Sequence, residues 1–441
     1  MYRPFVLLLG LLAVLSTADA QLRLHGSNTI GEELAPALIQ AWMTEKGYDE
    51  IEVEVQAELE RTFTGTNDAG ESIEVELHAH GSSTSFRGLA AGVADMGMSS
   101  RRIRPAEVER LAFMGPLDSP RHEIVVGIDG LAVIVHPENP ISALSVAQIR
   151  DLFAGRIANW REVGGDDRAV TLYARDEQSG TWDSFESMVL QDTPLAASAQ
   201  RFESSSELSD RVSNDPGAIG FIGLPYVRES RALEVAAGDT PVGPDRFSAA
   251  TEDYPLSRRL YLYVPERELY GLGGELAGFA ISPDGQRVVD ELGFVGQDIE
   301  VRRVEKPESA PAAYRAFVDG AMRASMNFRF QPGRPELDSK SERDLERLAR
   351  FLNDPATPDY EVLLMGFADP SETMKYFSLA LSNDRVDYVA ALLLQRGVVV
   401  HRARGFGDSL LLAAGTGELS EVKNRRVEVW LKRPSSPASA Q

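Results

Sequence analysis

Short apolar runs alternate with helical stretches from residue 21 to about residue 300 of this chain. The predicted strands are residues 22–24, 51–55, 73–77, 131–135 and 170–173, and the predicted helices are residues 32–44, 86–92, 146–153 and 182–190. Strands that alternate with helices indicate an α/β layer architecture, in which helices cover the faces of a sheet. Residues 61–72, RTFTGTNDAGES, lie between two strand-like runs and are expected to form a hairpin turn.

The length of 441 residues predicts two or three domains, since one hydrophobic core rarely organises so many residues. Residues 305–313, EKPESAPAA, have the composition of a linker. Beyond them, strands are predicted around residues 328–330, 360–365 and 426–431, and helices at residues 339–352 and 375–395. This pattern indicates a compact α+β domain of about 110 residues. The last eight residues, PSSPASAQ, are expected to be disordered.

The first 20 residues have the pattern of a secretory signal peptide. Arg3 precedes an apolar run at residues 5–15, and Ala18-Asp19-Ala20 is a small-x-small cleavage pattern before Gln21. A membrane anchor is the alternative, but the apolar run is short for a bilayer. The chain has no cysteine, which excludes disulfides, thiol catalysis, cysteine-ligated metals and a lipoprotein anchor. The mature protein is therefore expected to be free in an exported compartment, the periplasm.

The net charge is −22, from 45 basic and 67 acidic residues, and it is unevenly distributed. Residues 321–433 hold 17 basic and 16 acidic residues, so the acidic excess lies in residues 1–320. An acidic first part argues against nucleic acid as a partner. An anion bound there has to be held by local donors against the average field.

One polar window, ARDEQSGTWDSF, places Arg175 four residues ahead of the turn formed by Ser179, Gly180 and Thr181, at the start of a predicted helix. Free N–H groups at a helix start favour an anion, and an arginine adds a forked cation. No Lys follows the glycine, so the window is not a nucleotide P-loop. An ordinary Ser/Thr helix cap with a surface arginine is the alternative.

Three further windows, HGSNTIGEEL, HGSSTSFRGL and ADMGMSSRRI, place hydroxyl groups where a predicted strand ends. Their polar residues are Ser27, Asn28, Thr29, Ser82, Ser83, Thr84, Ser99, Ser100 and Arg101. Each window by itself is typical of a helix cap. Together they indicate a ligand site, because ligands of open α/β sheets gather at the carboxyl ends of strands.

The order of the motifs GSNTI, HGSST, ADMGMSSR, DGLAVIVHPENP, FAGRIANWREVGG, RDEQSGTWDSF and PGAIGFIGLPYV resembles the phosphate-binding periplasmic proteins of the ABC-transporter type (PstS-like), over about residues 22–300. The resemblance implies a two-lobed type II periplasmic-binding-protein fold that closes over inorganic phosphate, with an ABC-transporter permease as a partner. The phosphate-binding residues that it implies are Ser27, Thr29, Ile30, Ser82, Ser100, Arg175, Ser179, Gly180 and Thr181.

One position departs from this family. Some members carry an Asp where this chain has Ser100, and that carboxylate can accept the proton of a protonated phosphate. A serine both donates and accepts, so it does not repel a fully deprotonated oxyanion. Discrimination against sulfate is therefore expected to be weaker. Arg101 either adds charge to the site or is half of a surface pair with Arg102.

The C-terminal unit resembles the OmpA-like peptidoglycan-binding domain over residues 325–433. The resemblance rests on FRFQPGRPEL, GFADPSETMKYFSLALSNDRVDYVAALLLQRGV, ARGFGD and NRRVEVWL. It implies that Asp369 and Arg385 bind the ammonium and the carboxylate of diaminopimelate in the stem peptide. A helix cap for Asp369 and a solvated face for Arg385 are the alternatives. The segment YFSLALS departs from the family pattern, so weaker or altered binding is expected.

Other classes of function have less support in the sequence. No G-x-S-x-G is present, and the S-x-x-K at Ser420–Lys423 is expected to be a chance match, so no enzyme is predicted. His78 and His80 share a strand face without a nearby third ligand, and they are expected to be surface residues; no metal or cofactor is predicted. A different oxyanion, or a non-binding structural or adhesion protein at the wall, stays open.

The predicted organisation is a signal peptide at residues 1–20, a phosphate-binding domain at 21–300, a linker at 301–324, an OmpA-like domain at 325–433 and a tail at 434–441. The predicted fold class is α/β in two lobes, followed by a small α+β domain.

Overall fold

The computed structural model describes residues 20–434, apart from residues 58, 178, 239, 308, 332–333, 375 and 415–421. The predicted signal peptide up to residue 19 and the tail from residue 435 lie outside the described residues. Within the described part, none of the helices is both long enough and apolar enough to cross a membrane.

Eighteen strands are described in this part of the chain. They are β1 (Ala20–Gly26), β2 (Tyr48–Ala57), β3 (Glu60–Asn67), β4 (Ser72–His78), β5 (Met96–Ser99), β6 (Glu123–Val135), β7 (Ala143–Ser145), β8 (Thr171–Arg175), β9 (Gln200–Phe202), β10 (Ala218–Gly223), β11 (Arg231–Ala232), β12 (Glu234–Ala236), β13 (Ser257–Tyr263), β14 (Val301–Arg302), β15 (Met322–Arg329), β16 (Glu361–Gly366), β17 (Val400–Gly405) and β18 (Arg426–Lys432).

Twelve α-helices are described in the same residues. They are α1 (Ala35–Glu45), α2 (Ser82–Ala91), α3 (Pro105–Arg110), α4 (Val146–Phe153), α5 (Gly180–Phe185), α6 (Ser205–Asn214), α7 (Arg246–Ala250), α8 (Leu272–Ala280), α9 (Pro283–Glu291), α10 (Ala312–Phe317), α11 (Ser339–Asn353) and α12 (Ser378–Leu394). Two π-helical turns adjoin them, Ile30–Leu34 before α1 and Glu186–Leu190 after α5.

The first unit is built on one mixed sheet of eleven strands, in the order β2-β3-β4-β1-β5-β13-β6-β10-β8-β9, with β11 paired to β6. All thirteen residues of β6 are buried, because this strand lies between β13 and β10 in the middle of the sheet. Such a strand needs a largely apolar run rather than an alternating one, and EIVVGIDGLAVIV supplies it, apart from the buried Glu123 and Asp129.

Two hydrophobic cores divide the first unit into two lobes. The first lobe is built around Leu24, Trp42 and Phe63, under α1, α8 and α9. The second lobe is built around Phe153 and Phe221, with α4 and α5 packed on the sheet. β6 contributes to both cores, through Val126 in the first and Val133 in the second, so it connects the lobes.

The segment predicted to be a hairpin turn, residues 61–72, is mostly a strand. β3 pairs antiparallel with both β2 and β4, and the chain reverses only after Asn67. The Asn67 side chain accepts hydrogen bonds from the N–H groups of Ala69 (3.1 Å) and Glu71 (2.9 Å), which fixes the turn. A hairpin turn is therefore present after Asn67, but the prediction is wrong for residues 61–67, because the fully buried Phe63 anchors a strand whose glycine and asparagine suggest a loop.

The second unit is a five-stranded sheet in the order β14-β15-β18-β16-β17. Its core includes Phe328, Leu345 and Leu348. The structure differs from the predicted linker at residues 301–324, since β14, α10 and the start of β15 lie in this segment. Tyr314 and Phe317 on α10 pack into a core that contains Trp430. Aromatic burial therefore makes this segment part of the second unit, although its proline and alanine content is typical of a linker.

The two units contact each other through buried polar groups. The Arg329 guanidinium donates to the carbonyl oxygens of Thr251 (3.0 Å) and Glu252 (3.2 Å), and its exposed fraction is 1%. Lys423 Nζ donates to the carbonyl oxygens of Glu252 (2.8 Å) and Tyr254 (2.7 Å). The loop after α7 is thus bound by side chains of the second unit.

Candidate functional site

The polar turns of the first lobe emerge at one edge of the sheet. β1 pairs in parallel with β4 and with β5, so the three strands end on the same side. Ser27 follows β1, Ser82 follows β4 after three residues, and Ser100 follows β5 directly. The structure therefore confirms that these strand ends converge, as expected of a ligand site in an open α/β sheet.

A cavity of about 270 Å³ lies between the lobes. Residues of both lobes line it, among them Thr29, Glu32, Asp129, Arg175, Thr181 and Ser205. The wall thus contains hydroxyl groups and a guanidinium, but also several carboxylates. An anion in this cavity meets a mixed electrostatic environment.

Arg175 ends β8 and is 8% exposed. Its guanidinium donates to the Ser205 hydroxyl, to the Glu203 carbonyl oxygen (2.7 Å) and, weakly, to Thr181 Oγ1 (3.4 Å). Among the described residues no carboxylate forms an ion pair with Arg175. Burial lowers the pKa of this guanidinium, and the nearby Glu32 carboxylate opposes that shift. A buried cation held mainly by neutral acceptors leaves positive charge available to an anion.

The turn after Arg175 begins a helix. Ser179 Oγ accepts hydrogen bonds from the N–H groups of Thr181 (3.1 Å) and Trp182 (3.4 Å), so Ser179 is the N-cap of α5. The Thr29 hydroxyl donates to the Gly180 carbonyl oxygen (3.1 Å). A Cβ atom at Gly180 would lie 2.5 Å from the Thr29 Cα atom. The two lobes are therefore closed upon each other at this turn.

The remaining predicted residues of the first lobe lie apart from that cavity. Ser82 and Ser100 are joined by their hydroxyl groups (3.1 Å), and the Ser100 N–H donates to Ser82 Oγ (3.0 Å). The Ser27 hydroxyl is buried with no hydrogen-bond partner among the described residues. The Ile30 side chain belongs to the hydrophobic core, so only its backbone is available to a ligand. No hydrogen bond between described residues joins the Ser82–Ser100 pair to Arg175.

Arg101 is neither a group of the cavity nor half of a surface arginine pair. Its guanidinium makes two hydrogen bonds to the Glu107 carboxylate, at 2.8 Å and 2.7 Å, and lies over the Phe86 ring. Arg102 has its own partner, Glu123 (3.1 Å). Arg101 therefore neither adds charge to the cavity nor forms a surface pair with Arg102, but forms an ion pair with Glu107 of α3.

Arg258 is a residue of the cleft that the sequence analysis missed. Its guanidinium donates to Thr29 Oγ1 (2.5 Å) in the first lobe and to the Gly180 carbonyl oxygen (3.1 Å) in the second. It also pairs with Asp129 (3.3 Å). Arg258 is the second residue of the strand β13, and nothing in SRRLYLY distinguishes it from its neighbour Arg259. Only the tertiary structure shows that it bridges the lobes.

Glu32 is the second residue that the sequence analysis missed. The pKa of the Glu32 carboxyl is raised, mainly because the group is buried and to a lesser extent because Glu33 is near. Arg175 and the Gly180 backbone N–H, which donates to the carboxylate, act in the opposite direction. The carboxylate thus lies at the start of α5, where negative charge is favoured. Glu32 is an acceptor on the wall of the cavity that holds Arg175.

In the second unit, Asp369 is fully buried after β16. Its carboxylate accepts hydrogen bonds from the Ser371 N–H (2.8 Å) and from the Asn424 side chain (2.8 Å). The Asp369 N–H donates to Glu372 Oε2 (2.9 Å). The carboxylate therefore organises the loop between β16 and α12 as well as being a candidate ligand for an ammonium group.

Arg385, on α12, is 6% exposed and is not on a solvated helix face. Its guanidinium makes two hydrogen bonds with the Glu372 carboxylate, one of them 2.7 Å long, and donates to the Phe367 carbonyl oxygen (3.1 Å). Arg425 lies 3.0 Å from the same carboxylate. Asp369 and Arg385 thus meet at one loop, in which Glu372 is the carboxylate partner of Arg385.

Comparison with protein families identifies both units. A model described as "PBP superfamily domain" matches residues 17–284, which is more than half of the chain. A model described as "OmpA family" matches residues 329–425. The domain resemblances noted in the sequence are confirmed.

Relatives are found among curated proteins and solved structures. The chain is similar to the phosphate-binding protein PstS of Pseudomonas aeruginosa, with 28% identity over 242 residues, 51% of this chain and 74% of that protein. It is also similar to the phosphate-binding protein PstS of Bacillus subtilis, with 26% identity over 293 residues, 66% of this chain and 91% of that protein. A possible phosphate binding protein from Planctomyces limnophilus has a similar structure, with a TM-score of 0.51 and 22% identity, covering 63% of this chain and 93% of that one. This likeness confirms the predicted fold class.

Proposed function

We propose that this chain, which belongs to the PBP superfamily and carries a C-terminal OmpA-family domain, captures inorganic phosphate in the cleft between its lobes. The observation that carries the proposal is the buried Arg175 guanidinium, which has no ion pair among the described residues. It lies beside the Thr181 and Ser205 hydroxyl groups at the wall of the cavity. The PstS relatives support phosphate as the anion.

The donors suit a tetrahedral oxyanion. A guanidinium forms charge-assisted hydrogen bonds with phosphate oxygens, and hydroxyl and backbone N–H groups complete the shell. Ser27, Ser82 and Ser100 follow the ends of β1, β4 and β5 in the first lobe, and Ile30 offers only its backbone. To use all the predicted donors, one anion has to bring this group and the Arg175 group together. An ABC-transporter permease is the partner that we expect to receive the phosphate.

Calorimetry of the purified mature protein tests this function. We expect Arg175→Ala to weaken phosphate binding by about 1.5–3 kcal/mol, because it removes charged hydrogen bonds in a buried site. Arg161→Ala is the matched control, since Arg161 lies in the same lobe and its side chain is 64% exposed. Equal phosphate binding by the wild type and Arg175→Ala would refute the role of Arg175. Titrations with sulfate and other oxyanions in the same series test the alternative ligands.

We propose further that the second unit attaches the protein to peptidoglycan in the periplasm. The support is that Asp369 and Arg385 contact the same loop, where one can bind an ammonium and the other a carboxylate. A zwitterionic diaminopimelate end presents both groups. To bind, its carboxylate has to share or replace the Glu372 carboxylate on Arg385.

Sedimentation with purified sacculi tests the attachment. We expect Asp369→Ala and Arg385→Ala each to reduce binding to sacculi strongly, because each single change leaves a buried charge unmatched. The loss of binding free energy in the double variant should be smaller than the sum of the two single losses. Glu372→Gln removes the competing charge and is expected to strengthen binding. Arg396→Ala is the control, since Arg396 pairs with the exposed Glu346 on the surface of the same unit. Undiminished sedimentation of the double variant would place the attachment elsewhere.

A further inference from the structure

We propose that Glu60, His78 and His80 form a binding site for a divalent transition-metal ion of the zinc class. The site lies on the first lobe, at the sheet edge from which the polar turns emerge. It is independent of the proposed phosphate function, because none of these residues lines the cleft cavity. The sequence analysis expected the two histidines to be surface residues for lack of a third ligand, and the structure supplies that ligand.

The three side chains are close enough to share one ion. Glu60 Oε1 lies 2.8 Å from His80 Nε2 and 3.4 Å from His78 Nδ1. One potential ligand atom from each residue falls within 4.8 Å of the other two. Ligands about 2.0–2.1 Å from a tetrahedral zinc ion lie roughly 3.3 Å from each other. Small movements of the side chains therefore suffice to admit an ion.

Strand pairing fixes this arrangement. Glu60 begins β3 and is the direct cross-strand partner of His78, the last residue of β4. His80 follows His78 by two residues. The antiparallel pairing of β3 and β4 therefore fixes the backbones of Glu60 and His78 opposite each other, independently of their side-chain conformations. The sequence analysis missed Glu60 because it took most of β3 for a turn.

A fourth residue supports the cluster from the neighbouring strand. His25 on β1 is the parallel partner of His78, and their ring centroids are 4.6 Å apart. A Cβ atom at Gly88 of α2 would lie 2.9 Å from His25 Nδ1, so the glycine makes room for this ring. His25 thus packs against the His78 ring and limits the directions in which that ring can move.

The ligand set selects the class of ion. Two imidazoles and one carboxylate suit zinc and its neighbours in the first transition series, whereas calcium and magnesium prefer an all-oxygen shell. The His78, His80 and Glu60 side chains are 32%, 47% and 32% exposed, so an ion can enter from solvent and keep water as a further ligand. Glu76, 3.9 Å from His78 Nε2, adds negative charge nearby.

Metal binding is tested on the untagged mature protein after removal of metals with EDTA. Titration with Zn²⁺ in a phosphate-free buffer is expected to show one equivalent bound per chain. His78→Ala and His80→Ala are each expected to weaken that binding about tenfold or more. Co²⁺ is expected to give the visible absorption of a tetrahedral site in the wild type only. His136→Ala, in the second lobe, is the control and should bind as the wild type does.

Circular dichroism of each variant verifies that the fold is retained. Glu60→Gln gives a second, milder change if an alanine variant fails to fold, and it is expected to weaken Zn²⁺ binding as well. The absence of saturable Zn²⁺ binding would overturn the proposal. Unchanged Zn²⁺ affinity in the His78→Ala/His80→Ala double variant would also overturn it.

Discussion

Selection between protonated and unprotonated oxyanions depends on whether the site contains a carboxylate that can accept the ligand's proton. Ser100 stands where some members of the resembled family carry an Asp, and its hydroxyl is already bonded to Ser82. Glu32 provides a carboxylate on the wall of the cavity that holds Arg175. A carboxylate accepts the proton of hydrogen phosphate but repels sulfate, which has none. We therefore expect Glu32 to act as the acceptor that is missing at Ser100.

We expect Glu32→Gln to reduce the difference between the binding free energies of phosphate and sulfate by about 1.5–3 kcal/mol, the usual contribution of a hydrogen bond to a charged group. The variant keeps the size of the side chain and removes the repulsion of sulfate. Competition calorimetry at neutral pH measures the ratio of the two affinities. Glu33→Gln is the matched control, because Glu33 lines the same cavity but makes no described hydrogen bond to α5. An unchanged ratio in Glu32→Gln would show that Glu32 does not select the ligand.

At the scale of elements, the sequence predicted those strands and helices whose apolar pattern is unbroken. β4, α4, α11 and β18 lie close to their predicted positions. β3 was missed because glycine, asparagine and threonine obscure the one buried aromatic residue, Phe63, that makes it a strand. α10 was missed because the preceding prolines indicate a linker, whereas burial of Tyr314 decides the structure. Local amino-acid composition does not predict the secondary structure correctly where a few tertiary contacts outweigh it.

The candidate site was predictable to the extent that it is local. Arg175, Ser179 and Thr181 form one turn, and the structure keeps them together. Arg258 comes from a strand 78 residues beyond Gly180, and Glu32 comes from the other lobe. Their approach to the cleft depends on how the lobes close. No spacing pattern in a single sequence carries that information.

Gly180 is a point of close contact between the two lobes at the cleft. A Cβ atom there would lie 2.5 Å from the Thr29 Cα atom and 2.6 Å from its backbone nitrogen. We therefore expect Gly180→Ala to hinder closure and to weaken phosphate binding by about 1–3 kcal/mol, a typical cost of overpacking. Small-angle scattering with phosphate should show a more open variant than the wild type. Gly278→Ala on α8 is the control, because nothing lies within 4 Å of its Cβ position.

At the scale of the whole molecule, a buried ionic network joins the two units. Arg259 donates to both Glu252 oxygens at 3.0 Å and to Asp338 Oδ2 at 2.7 Å. Arg323 pairs with Asp253 at 2.7 Å. Buried charges of this kind add little net stability, yet removing one partner leaves the others uncompensated. The network therefore favours one fixed arrangement of the units over alternatives that would separate the charges.

Glu252 makes this arrangement sensitive to acid. Burial alone would raise the pKa of its carboxyl, but Arg259, Arg329 and Lys340 lower it to about 2. The folded pKa lies below the ordinary value near 4.5, so the stabilisation is fully present above pH 4.5 and is lost as the pH falls toward 2. Burial lowers the pKa of Lys423 to about 7, so Lys423 is charged throughout this acid window and does not titrate there. Glu252 therefore contributes a pH dependence with a definite sign.

We expect Glu252→Gln to destabilise the protein by about 3–5 kcal/mol at pH 7, the usual cost of removing one partner of a buried ion pair, and by progressively less as the pH falls from 4.5 toward 2. Scanning calorimetry of both proteins across this range measures the difference. Because Glu252 contacts Arg259 of the first unit and Arg329 of the second, the wild type at pH 7 should unfold in one transition, and acid should divide it into two. Glu229→Gln, a change at an exposed position, should leave the profile unaltered. A difference between wild type and Glu252→Gln that stays constant from pH 7 to pH 3 would mean that the carboxylate of Glu252 does not hold the units together.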